Sequence, residues 1–427
     1  MLKIALLILL IVCASSLAQS TYPPKGTTTT TTPGAPVTTG GPTNPLSNSD
    51  GTPCNCNTAT MWLDLILIAD RSKSIGVGGL GSIGTQLATN LYGINIAQSG
   101  SNYYTRVGLI VFSSDVQVIG NLNKYNSYND LTNDLLNLES YHKADDNVVD
   151  IYAALKSAQD MFQTQAANNA NRNARQVVLL FASSYNQIGG NNPVVIANQM
   201  NNSNIFIITV DYNDAQGAAT QLLSQISTPF MNFSSSDSNG LTNTFTEINS
   251  ALCYSNCVCP ASMTQLITYN SNTGRQTYFA DCYIAYLSGS FATFAERACE
   301  EIHGTLIALQ TGSKTNFVIN SVANKNNTKL TRFHTGLHRD VSKNWVWYGY
   351  QNTNFPLGAF ANWAPGFSSS SAGDCAYIEK LSSTTWGWAT ENCIGQNPYQ
   401  YVCQVRACDS TYGTCDCNTW KNDPSCS

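Results

Sequence analysis

Charged residues are scarce in this chain, since only 11% of its 427 residues are charged and the formal net charge is −5. No run of basic residues occurs, which excludes nucleic acid as an expected partner. Histidine is rarer still, with four residues. No nucleophile stands in a recognisable pattern with a base, so we expect no enzyme. After the N-terminus, no apolar stretch is long enough to span a bilayer, and residues 423–427 do not resemble a lipid-anchor signal.

The N-terminus indicates secretion. Met1-Leu2-Lys3 is followed by an apolar run and by small residues, which is the form of a secretory signal peptide over residues 1–19. Loss of Cys13 with this peptide leaves an even number of the 15 cysteines in an oxidising compartment, which favours disulfides over free thiols. Three N-glycosylation sequons agree with an extracellular protein, and they begin at Asn201, Asn232 and Asn326.

Composition divides the rest of the chain. Residues 20–53 are Thr, Pro, Gly and Ser with almost nothing to bury, so they predict an extended linker that is either O-glycosylated or a bare spacer. Residues 54–257 then alternate short β-branched runs with segments of helical period. Strands that alternate with helices predict an α/β domain with a doubly wound, mainly parallel sheet. The runs that predict buried strands are Trp62 to Ala69, Val107 to Phe112, Val177 to Phe181 and Ile205 to Val210.

A cluster of oxygen-bearing side chains follows the first of these strands. Asp70-Arg71-Ser72-Lys73-Ser74 stands at its carboxyl end, where open α/β sheets place their ligands. This Asp-x-Ser-x-Ser pattern resembles the first metal-binding loop of von Willebrand factor A domains, in which two serines ligate magnesium and the aspartate acts largely through water. The resemblance marks Asp70, Ser72 and Ser74 as candidate metal ligands, and magnesium is the only cofactor that we consider.

Two further positions differ from that family. The resemblance implies a threonine from a second loop and an aspartate from a third, but Val149 and Ser183 stand at these positions. A valine offers no lone pair and a serine brings no charge, so we expect at most a weak magnesium site. The alternative is a loop that keeps Asp70 and its serines for hydrogen bonds within the turn. Acidic residues that lie close by, although not on the motif positions, are Asp145, Asp146 and Asp150.

The glycine run Gly76 to Gly81 matches a dinucleotide-binding fingerprint. The strand ends several residues before it, and no Asp or Glu follows until Asp115, so we reject a nucleotide site. These glycines instead predict a flexible lead into a helix near residues 86–96.

Residues 258–406 carry a spaced set of cysteines, tryptophans and small-residue turns. The set includes Cys282, Ala295-Glu296-Arg297-Ala298-Cys299, Trp345-Val346-Trp347, Asn362-Trp363-Ala364-Pro365-Gly366, Asp374-Cys375, Glu391-Asn392-Cys393 and Tyr401-Val402-Cys403. Together these motifs resemble a C-type lectin-like domain over its whole length, which implies an α+β fold. The resemblance also implies the disulfides Cys299–Cys403 and Cys375–Cys393, with Cys259–Cys282 as our prediction for an additional pair.

Calcium-dependent members of that family hold the ion and the sugar through a Glu-Pro-Asn or Gln-Pro-Asp loop and a Trp-Asn-Asp strand. Here the loop reads Phe367-Ser368-Ser369 after Pro365-Gly366, and the strand reads Trp388-Ala389-Thr390. Because hard cations need oxygen ligands, we expect no calcium-dependent sugar site. The tryptophans are expected mainly in the core. Aromatic residues that are candidates for stacking on a glycan or for anchoring a protein are Trp363, Phe367, Trp386 and Trp388.

The remaining cysteines stand at domain ends. Cys54 and Cys56 precede the first domain and Cys253 and Cys257 follow it, so we expect two disulfides that tie its ends together, with the connectivity left open. The secretory context favours disulfides over zinc clips at these closely spaced cysteines. A cysteine-rich tail, residues 407–427, is too short for a core and is expected to form two local disulfides.

The order of signal peptide, Thr-rich linker, von Willebrand-type domain and lectin-like domain resembles a group of secreted nematode lectin-like proteins that are associated with surface recognition and innate defence. The first hypothesis is therefore a secreted, extracellular recognition protein that binds a glycan or protein surface without calcium. The second is an extracellular matrix or adhesion protein that acts through the first domain. A secreted hydrolase ranks last, because no catalytic grouping is visible. The sequence assigns no oligomeric state.

Overall fold

The computed structural model describes residues 49–99, 103–168, 174–186, 188–212, 218–235, 241–260, 262–270, 275–325, 329–395 and 397–410, all of which belong to one compact unit. The expected signal peptide, residues 20–48 of the expected linker, the sequon at Asn326 and residues 411–427 of the tail lie outside the described residues. Within the described part, none of the helices combines the length and the apolarity needed to cross a bilayer.

The first domain is a six-stranded sheet between two layers of helices. The strand order is β3-β2-β1-β4-β5-β6, in which β3 is antiparallel to β2 and the other pairs are parallel. This topology confirms the doubly wound α/β fold expected for the first domain. Its elements in chain order are β1 (Leu63–Asp70), α1 (Val77–Asn90), β2 (Arg106–Phe112), β3 (Val116–Gly120), α2 (Tyr128–Leu136), α3 (Ile151–Asn168), β4 (Arg175–Ala182), α4 (Pro193–Asn202), β5 (Phe206–Asp211), α5 (Ala218–Leu223), β6 (Asn232–Ser234) and α6 (Leu241–Ser255).

The central strand β1 is buried along its whole length. Leu65 and Leu67 belong to the core cluster beneath α1 and α6, whereas Ile66 and Ile68 belong to the cluster beneath α3 and α4. Successive side chains of a strand point to opposite faces. A continuous apolar run is therefore what a strand covered on both faces requires.

Helix α1 begins earlier than the sequence pattern suggests. It starts at Val77 and includes the glycines of the run that follows Gly76, so the expected flexible lead into a helix near residues 86–96 is wrong. Within the same helix, a Cβ at Gly84 would lie 2.1 Å from the Leu135 carbonyl oxygen of α2. Close approach of two helices is the physical reason for a residue without a side chain at that position.

The second domain is built on a nine-stranded sheet. Its longest path is β12-β11-β10-β15-β8-β7. Off this path, β13 pairs with β10, β14 pairs with β13, and β9 pairs with β15. Its core contains the fully buried rings of Trp347 and Trp388. The elements are β7 (Thr264–Asn270), β8 (Arg275–Ser290), α7 (Ala292–Glu300), β9 (Gly304–Leu306), α8 (Gly312–Val318), β10 (Arg332–Arg339), β11 (Trp345–Gly349), β12 (Thr353–Pro356), β13 (Cys375–Lys380), β14 (Trp386–Glu391) and β15 (Tyr399–Arg406).

Disulfides close both domains. The second domain contains Cys299–Cys403, Cys375–Cys393 and Cys259–Cys282, which are the pairs named from the sequence. At the ends of the first domain the connectivity is Cys54–Cys257 and Cys56–Cys253. These two bridges join positions 203 and 197 residues apart, so they restrict a large part of the unfolded chain.

The last residues of the expected linker are part of the fold. Gly51 and Thr52 are buried, and the Ala280 amide donates to the Thr52 carbonyl at 2.8 Å. Pro53 forms an antiparallel bridge with Phe279 of β8. The boundary expected at residue 53 is therefore corrected, because the segment from residue 49 onward packs on the second domain.

The hairpin formed by β7 and β8 packs against the first domain. Tyr278 of β8 is 7% exposed and belongs to the same core cluster as the residues beneath α1 and α6. Its ring lies 5.3 Å from that of Tyr254 in α6. Ile267 of β7 packs against the same cluster. The two domains therefore share buried apolar surface.

Candidate functional site

Asp70 ends β1 at the carboxyl edge of the parallel sheet. Its side chain is buried, and both carboxylate oxygens accept backbone N–H groups, Oδ1 from Ser72 at 2.8 Å and Oδ2 from Ser183 at 3.0 Å. Ser183 directly follows β4, which is the parallel neighbour of β1. Because the carboxyl ends of parallel strands meet at one edge, the Asp70 carboxylate ties the two loops together.

Three serine hydroxyls form a chain that ends on Asp70. Ser72 Oγ lies 2.8 Å from Ser74 Oγ, Ser74 Oγ lies 2.7 Å from Ser183 Oγ, and the Ser183 hydroxyl donates to Asp70 Oδ2. Each hydroxyl has a single proton to donate. Because Ser183 donates its proton to Asp70, it must accept from Ser74, and Ser74 must in turn accept from Ser72. The candidate metal ligands therefore satisfy one another.

Asp146 and Asp150 of the second loop both have hydrogen-bond partners within the protein. Asp146 Oδ2 accepts from the Ser114 hydroxyl at 2.5 Å and from the Ser114 amide at 3.1 Å, and the hydroxyl bond is the main reason that the pKa of the Asp146 carboxyl lies well below its usual range. Asp150 Oδ1 accepts from the Ala153 amide at 3.0 Å, at the start of α3. Val149 is fully buried in the core beneath α3 and α4. This loop therefore uses the Asp146 carboxylate to bind Ser114, the Asp150 carboxylate to bind the start of α3, and Val149 for packing.

A magnesium ion needs a near-octahedral array of hard oxygen ligands. The site offers one carboxylate, that of Asp70, and the three serine hydroxyls, and hydrogen bonds join these four groups to each other. Asp145, the remaining acidic residue of the second loop, is exposed. Among the residues that the structure describes, no group of three or more His, Cys, Asp or Glu is placed to hold a metal ion. These residues do not fit a magnesium ion that requires a second carboxylate.

Residues 363–374 form a long loop between β12 and β13 in the second domain. Nη2 of Arg339 donates to the carbonyls of Ser369 and Ser371, each at 2.9 Å. Trp345 Nε1 donates to the Ser369 carbonyl at 2.8 Å, and the Arg339 guanidinium lies 4.9 Å from the centre of the Trp345 ring. We call these four residues the arginine clamp. In this clamp the positive charge that holds the loop is the Arg339 guanidinium, where a calcium-binding loop would use a bound cation.

The end of the same loop is fastened next to β13. Lys343 Nζ lies 2.9 Å from Asp374 Oδ2, and this bond lowers the pKa of the Asp374 carboxyl. The Thr390 hydroxyl donates to the Ala372 carbonyl at 2.5 Å. Gly373 has a φ of +102°, which glycine adopts without strain. The loop is therefore ordered at both its middle and its end.

The structure separates the four aromatic candidates. Trp388 is 0% exposed and Trp386 is 7% exposed, and both lie in the core of the second domain. A buried ring has no face to stack on a sugar, so the expectation of ligand contacts at these two residues is corrected. Trp363 and Phe367 are partly exposed. The Trp363 ring also packs edge-on against Trp345, with centroids 5.3 Å apart.

Sequence reasoning missed Arg339. A single basic residue in a strand forms no pattern that predicts a contact 30 residues away, with the Ser369 carbonyl. The available signal was Trp345, because a buried indole N–H needs an acceptor and so points to a nearby polar backbone.

Two of the three sequons lie among the described residues. Asn201 lies in the last turn of α4 and Asn232 begins β6, and both are partly exposed. Asn201 Oδ1 accepts from the Thr228 hydroxyl at 3.0 Å, and Asn232 Oδ1 accepts from the Thr209 hydroxyl at 2.6 Å. Glycosylation at these asparagines stays a prediction.

Two domain families match this chain. The von Willebrand factor type A domain matches residues 64–247, and the lectin C-type domain matches residues 291–405. The first range contains the Asp70 loop with its serines, and the second contains the arginine clamp.

The proteins to which the chain is similar include one relative from a nematode and two solved proteins. The C-type lectin domain-containing protein 160 of Caenorhabditis elegans is 26% identical over 400 residues, which is 89% of this chain and 59% of the relative's length. Proximal thread matrix protein 1 from the mussel byssus has a TM-score of 0.38 and 15% identity, over 46% of this chain and 47% of that chain. A structure of the same mussel protein with a zinc-occupied MIDAS motif has a TM-score of 0.36 and 17% identity, over 45% and 46% of the two chains. Human lithostathine has a TM-score of 0.27 and 22% identity, over 35% of this chain and 91% of that chain.

Proposed function

Because the chain contains a von Willebrand factor type A domain followed by a C-type lectin domain, we propose that it is a secreted, non-enzymatic recognition protein that binds glycan or protein surfaces. The ligand contacts the long loop 363–374 of the lectin domain, and calcium takes no part. The proposal includes a role in innate defence, which a secreted binder would serve by recognising foreign surfaces. The observation that carries the proposal is the arginine clamp.

The clamp supports recognition without calcium. A hard cation needs several oxygen ligands, and the loop offers serine side chains where calcium-dependent lectins have carboxylates and amides. Arg339 brings a fixed positive charge to the loop carbonyls of Ser369 and Ser371. A guanidinium donates directed N–H hydrogen bonds to carbonyl oxygens, and it keeps its proton and its charge at any physiological pH. The loop therefore keeps its shape at any calcium concentration.

The surface of the clamped loop suits a neutral glycan or a protein. Ser368, Ser369 and Ser370 are exposed, and Phe367 and Trp363 are partly exposed beside them. Hydroxyls offer hydrogen bonds to sugar hydroxyls or to backbone groups, and an aromatic face packs against the C–H groups of a sugar ring or an apolar side chain. A loop that is already ordered loses less conformational entropy on binding than a mobile one.

A glycan array and a pull-down from extracellular fluid, both with the full chain, test this proposal. Binding in calcium and in EDTA should be equal. Phe367→Ala should weaken binding by about tenfold or more, as expected for loss of an aromatic anchor. The matched control is Leu381→Ala, which removes a 43% exposed apolar side chain directly after β13.

Arg339 provides the second arm of the experiment. Arg339→Ala should release the loop and weaken binding, whereas Arg339→Lys should retain part of it, because a lysine keeps the charge but not the two directed donors. Binding that disappears in EDTA, or that survives Phe367→Ala and Arg339→Ala unchanged, would overturn the proposal.

Adhesion through the first domain is the second candidate. A cleft of about 560 Å³ lies beside α1, and its lining includes Ser82, Leu136, Glu139 and Tyr212. Tyr212 directly follows β5, so the cleft opens at the carboxyl edge of the sheet, where such domains place ligands. If Leu136→Ala abolishes attachment to immobilised matrix protein while Phe367→Ala has no effect, this candidate takes first place.

A further inference from the structure

A lysine and an aspartate are buried inside the lectin domain. Lys314 of α8 is 0% exposed, and its Nζ donates to Gln310 Oε1 at 3.1 Å and to Gln404 Oε1 at 2.9 Å. Asp281 of β8 is also 0% exposed, and it accepts from the Tyr350 hydroxyl at 2.7 Å and from Gln404 Nε2 at 3.0 Å. Gln404 of β15 therefore bridges the two charged side chains.

One side of this network is closed by the segment Ser49–Pro53, which we call the strap. The Thr52 amide and hydroxyl donate to Asp281 Oδ2 and Oδ1 at 2.7 and 2.8 Å. The Thr311 hydroxyl, at the start of α8, donates to Asp50 Oδ1 at 2.7 Å. Gly51 lies so close to the network that a Cβ there would lie 2.6 Å from Asp281 Oδ2 and 2.6 Å from Leu266 Cδ2.

The strap is a small attachment compared with the core that it covers. Its backbone adds one bridge to β8, between Pro53 and Phe279, and the Ala280 amide donates to the Thr52 carbonyl. Pro53 is exposed, and the next residue, Cys54, is bonded to Cys257. A short segment with few buried apolar contacts opens at a lower free energy than the sheet beneath it. The disulfide keeps the strap close to its groove when it opens.

The buried charges of Lys314 and Asp281 are stable only while the strap covers them. Burial lowers the pKa of the Lys314 amine to about 8, although the carboxylates of Asp281 and Asp50 act to raise it. The two donors of Thr52 replace water on Asp281. When they leave, water must enter the network, because a buried carboxylate without its donors is costly.

We propose that Ser49–Pro53 is a releasable strap that occupies a peptide groove of the lectin domain, and that its release opens the Asp281–Lys314 network to solvent and to an extended Asp-Gly-Thr segment. The groove recognises a peptide by three features of this structure. The Ala280 amide donates to a backbone carbonyl of the bound segment, and Asp281 accepts from a Thr residue of that segment. Thr311 donates to an Asp side chain that stands two residues before that Thr. In the closed state the chain's own linker end fills the groove.

Acylation of lysine in the full chain measures the opening. The probe is the N-hydroxysuccinimide ester of acetic acid, and mass spectrometry of peptides gives the rate at each lysine. In the unaltered protein Lys314 should react at least about a hundredfold more slowly than the exposed Lys380, because it reacts only when the strap opens. Gly51→Ala should raise the Lys314 rate by about tenfold or more and leave Lys380 unchanged, since the added Cβ pushes the strap off Asp281.

The control is Gly190→Ala, where nothing lies within 4 Å of the added Cβ, and it should change neither rate. A synthetic peptide, Ser-Asp-Gly-Thr-Pro, should protect Lys314 again in the Gly51→Ala protein, whereas Ser-Ala-Gly-Val-Pro should not. Lys314 that reacts as fast as Lys380 in the unaltered protein, or that stays protected in Gly51→Ala, would overturn the strap. A lack of protection by the first peptide would overturn the groove.

Hydrogen exchange of the unaltered protein keeps the test decisive if Gly51→Ala fails to fold. The amides of Thr52 and Ala280 should exchange together and faster than that of Leu306, which donates to the buried Glu296 at 2.6 Å. Equal protection at all three amides would mean that the strap opens only when the whole domain unfolds, and the proposal would be wrong.

Discussion

The residue at position 183 decides the chemistry of the carboxyl edge in the first domain. Ser183 donates to Asp70 through its amide and through its hydroxyl, so the carboxylate is satisfied without a cation. An aspartate at this position would place a second negative charge beside Asp70, and two adjacent carboxylates require a counter-ion or a shared proton. The hydrogen bonds of Ser183 therefore hold the Asp70 carboxylate in a turn that needs no added cation.

We predict that Ser183→Asp combined with Val149→Thr makes the first domain dependent on magnesium. Repulsion between the two carboxylates should lower the melting temperature in EDTA, and millimolar magnesium should restore it by mass action. Thermal unfolding with and without chelator measures both effects. The control is Ser183→Asn with Val149→Thr. It lacks the added charge, so its melting temperature should not change with magnesium. A chelator-reversible rise for the unaltered protein would show that its hydroxyls and single carboxylate already hold the ion.

A second residue makes stability depend on pH. Glu296 of α7 is buried and accepts from the Thr305 hydroxyl at 2.9 Å and the Leu306 amide at 2.6 Å. Burial raises the pKa of Glu296 from 4.5 to about 7, although these two bonds act to lower it. The protonated Glu296 stabilises the folded state, because its pKa is higher in the folded protein than in the unfolded chain. This contribution is complete below the unfolded pKa of 4.5 and is lost as the pH rises through the folded pKa of about 7.

We therefore predict that the free energy of unfolding falls between pH 4.5 and about 7 by an amount on the order of 3 kcal/mol at most. Glu296→Gln should remove most of this fall, because the amide does not titrate. Urea unfolding followed by tryptophan fluorescence at several pH values measures it. Glu301→Gln, at an exposed position just after α7, should keep the fall. Identical pH profiles for the Glu296→Gln and unaltered proteins would contradict the prediction.

At the scale of elements, α1 shows that the glycines of one helix serve different purposes. Gly84 allows α1 to approach the α2 carbonyl of Leu135, whereas an added Cβ at Gly78 would meet nothing within 4 Å. A glycine inside a helix is less favourable than alanine by about 1 kcal/mol. The close approach at Gly84 compensates for that loss through packing, and Gly78 has no such contact.

We predict opposite effects for two identical substitutions in α1. Gly78→Ala should raise the free energy of unfolding by roughly 0.5–1 kcal/mol, because it removes conformational freedom from the unfolded chain. Gly84→Ala should lower it by roughly 1–3 kcal/mol, because its Cβ must push α2 away. Denaturant midpoints of the two variants give the comparison. Effects of the same sign would mean that α2 moves without cost.

At the scale of the whole molecule, the two domains are joined by more than a linker. Tyr278 of the second domain lies in the core of the first domain. Cys54, which is bonded to Cys257, packs against core clusters of both domains. A ligand bound by one domain is therefore held in a defined position with respect to the other.

We predict that the unaltered protein unfolds in a single calorimetric transition, because the domains share buried surface. Tyr278→Ala should lower the stability by about 3 kcal/mol, as expected for loss of a buried aromatic side chain. Tyr269→Ala on the same hairpin should cost about 1 kcal/mol or less, since this tyrosine is 58% exposed. Two separate transitions in the unaltered protein, with only one affected by Tyr278→Ala, would argue against a shared core.

Local sequence patterns were sufficient for much of the architecture. The continuous apolar run of β1 predicted a strand buried on both faces, and the carboxyl end of that strand predicted where Asp70 and its serines lie. Cysteine spacing, read through the family resemblance, led to pairs such as Cys299–Cys403 that the structure contains. These features could be predicted because strand period, strand order and disulfide spacing are properties of short segments or of a pattern shared by a family.

Contacts between distant segments required the folded chain. Thr52 bonds to Asp281, 229 residues away, so a stretch with the composition of a linker became part of a domain. The Asp70 site depends in the same way on the hydroxyl of Ser183, 113 residues away, and the long loop depends on Arg339. A hydrogen bond between remote residues leaves no periodic trace in one sequence, because its geometry exists only after the sheets have formed and brought donor and acceptor together.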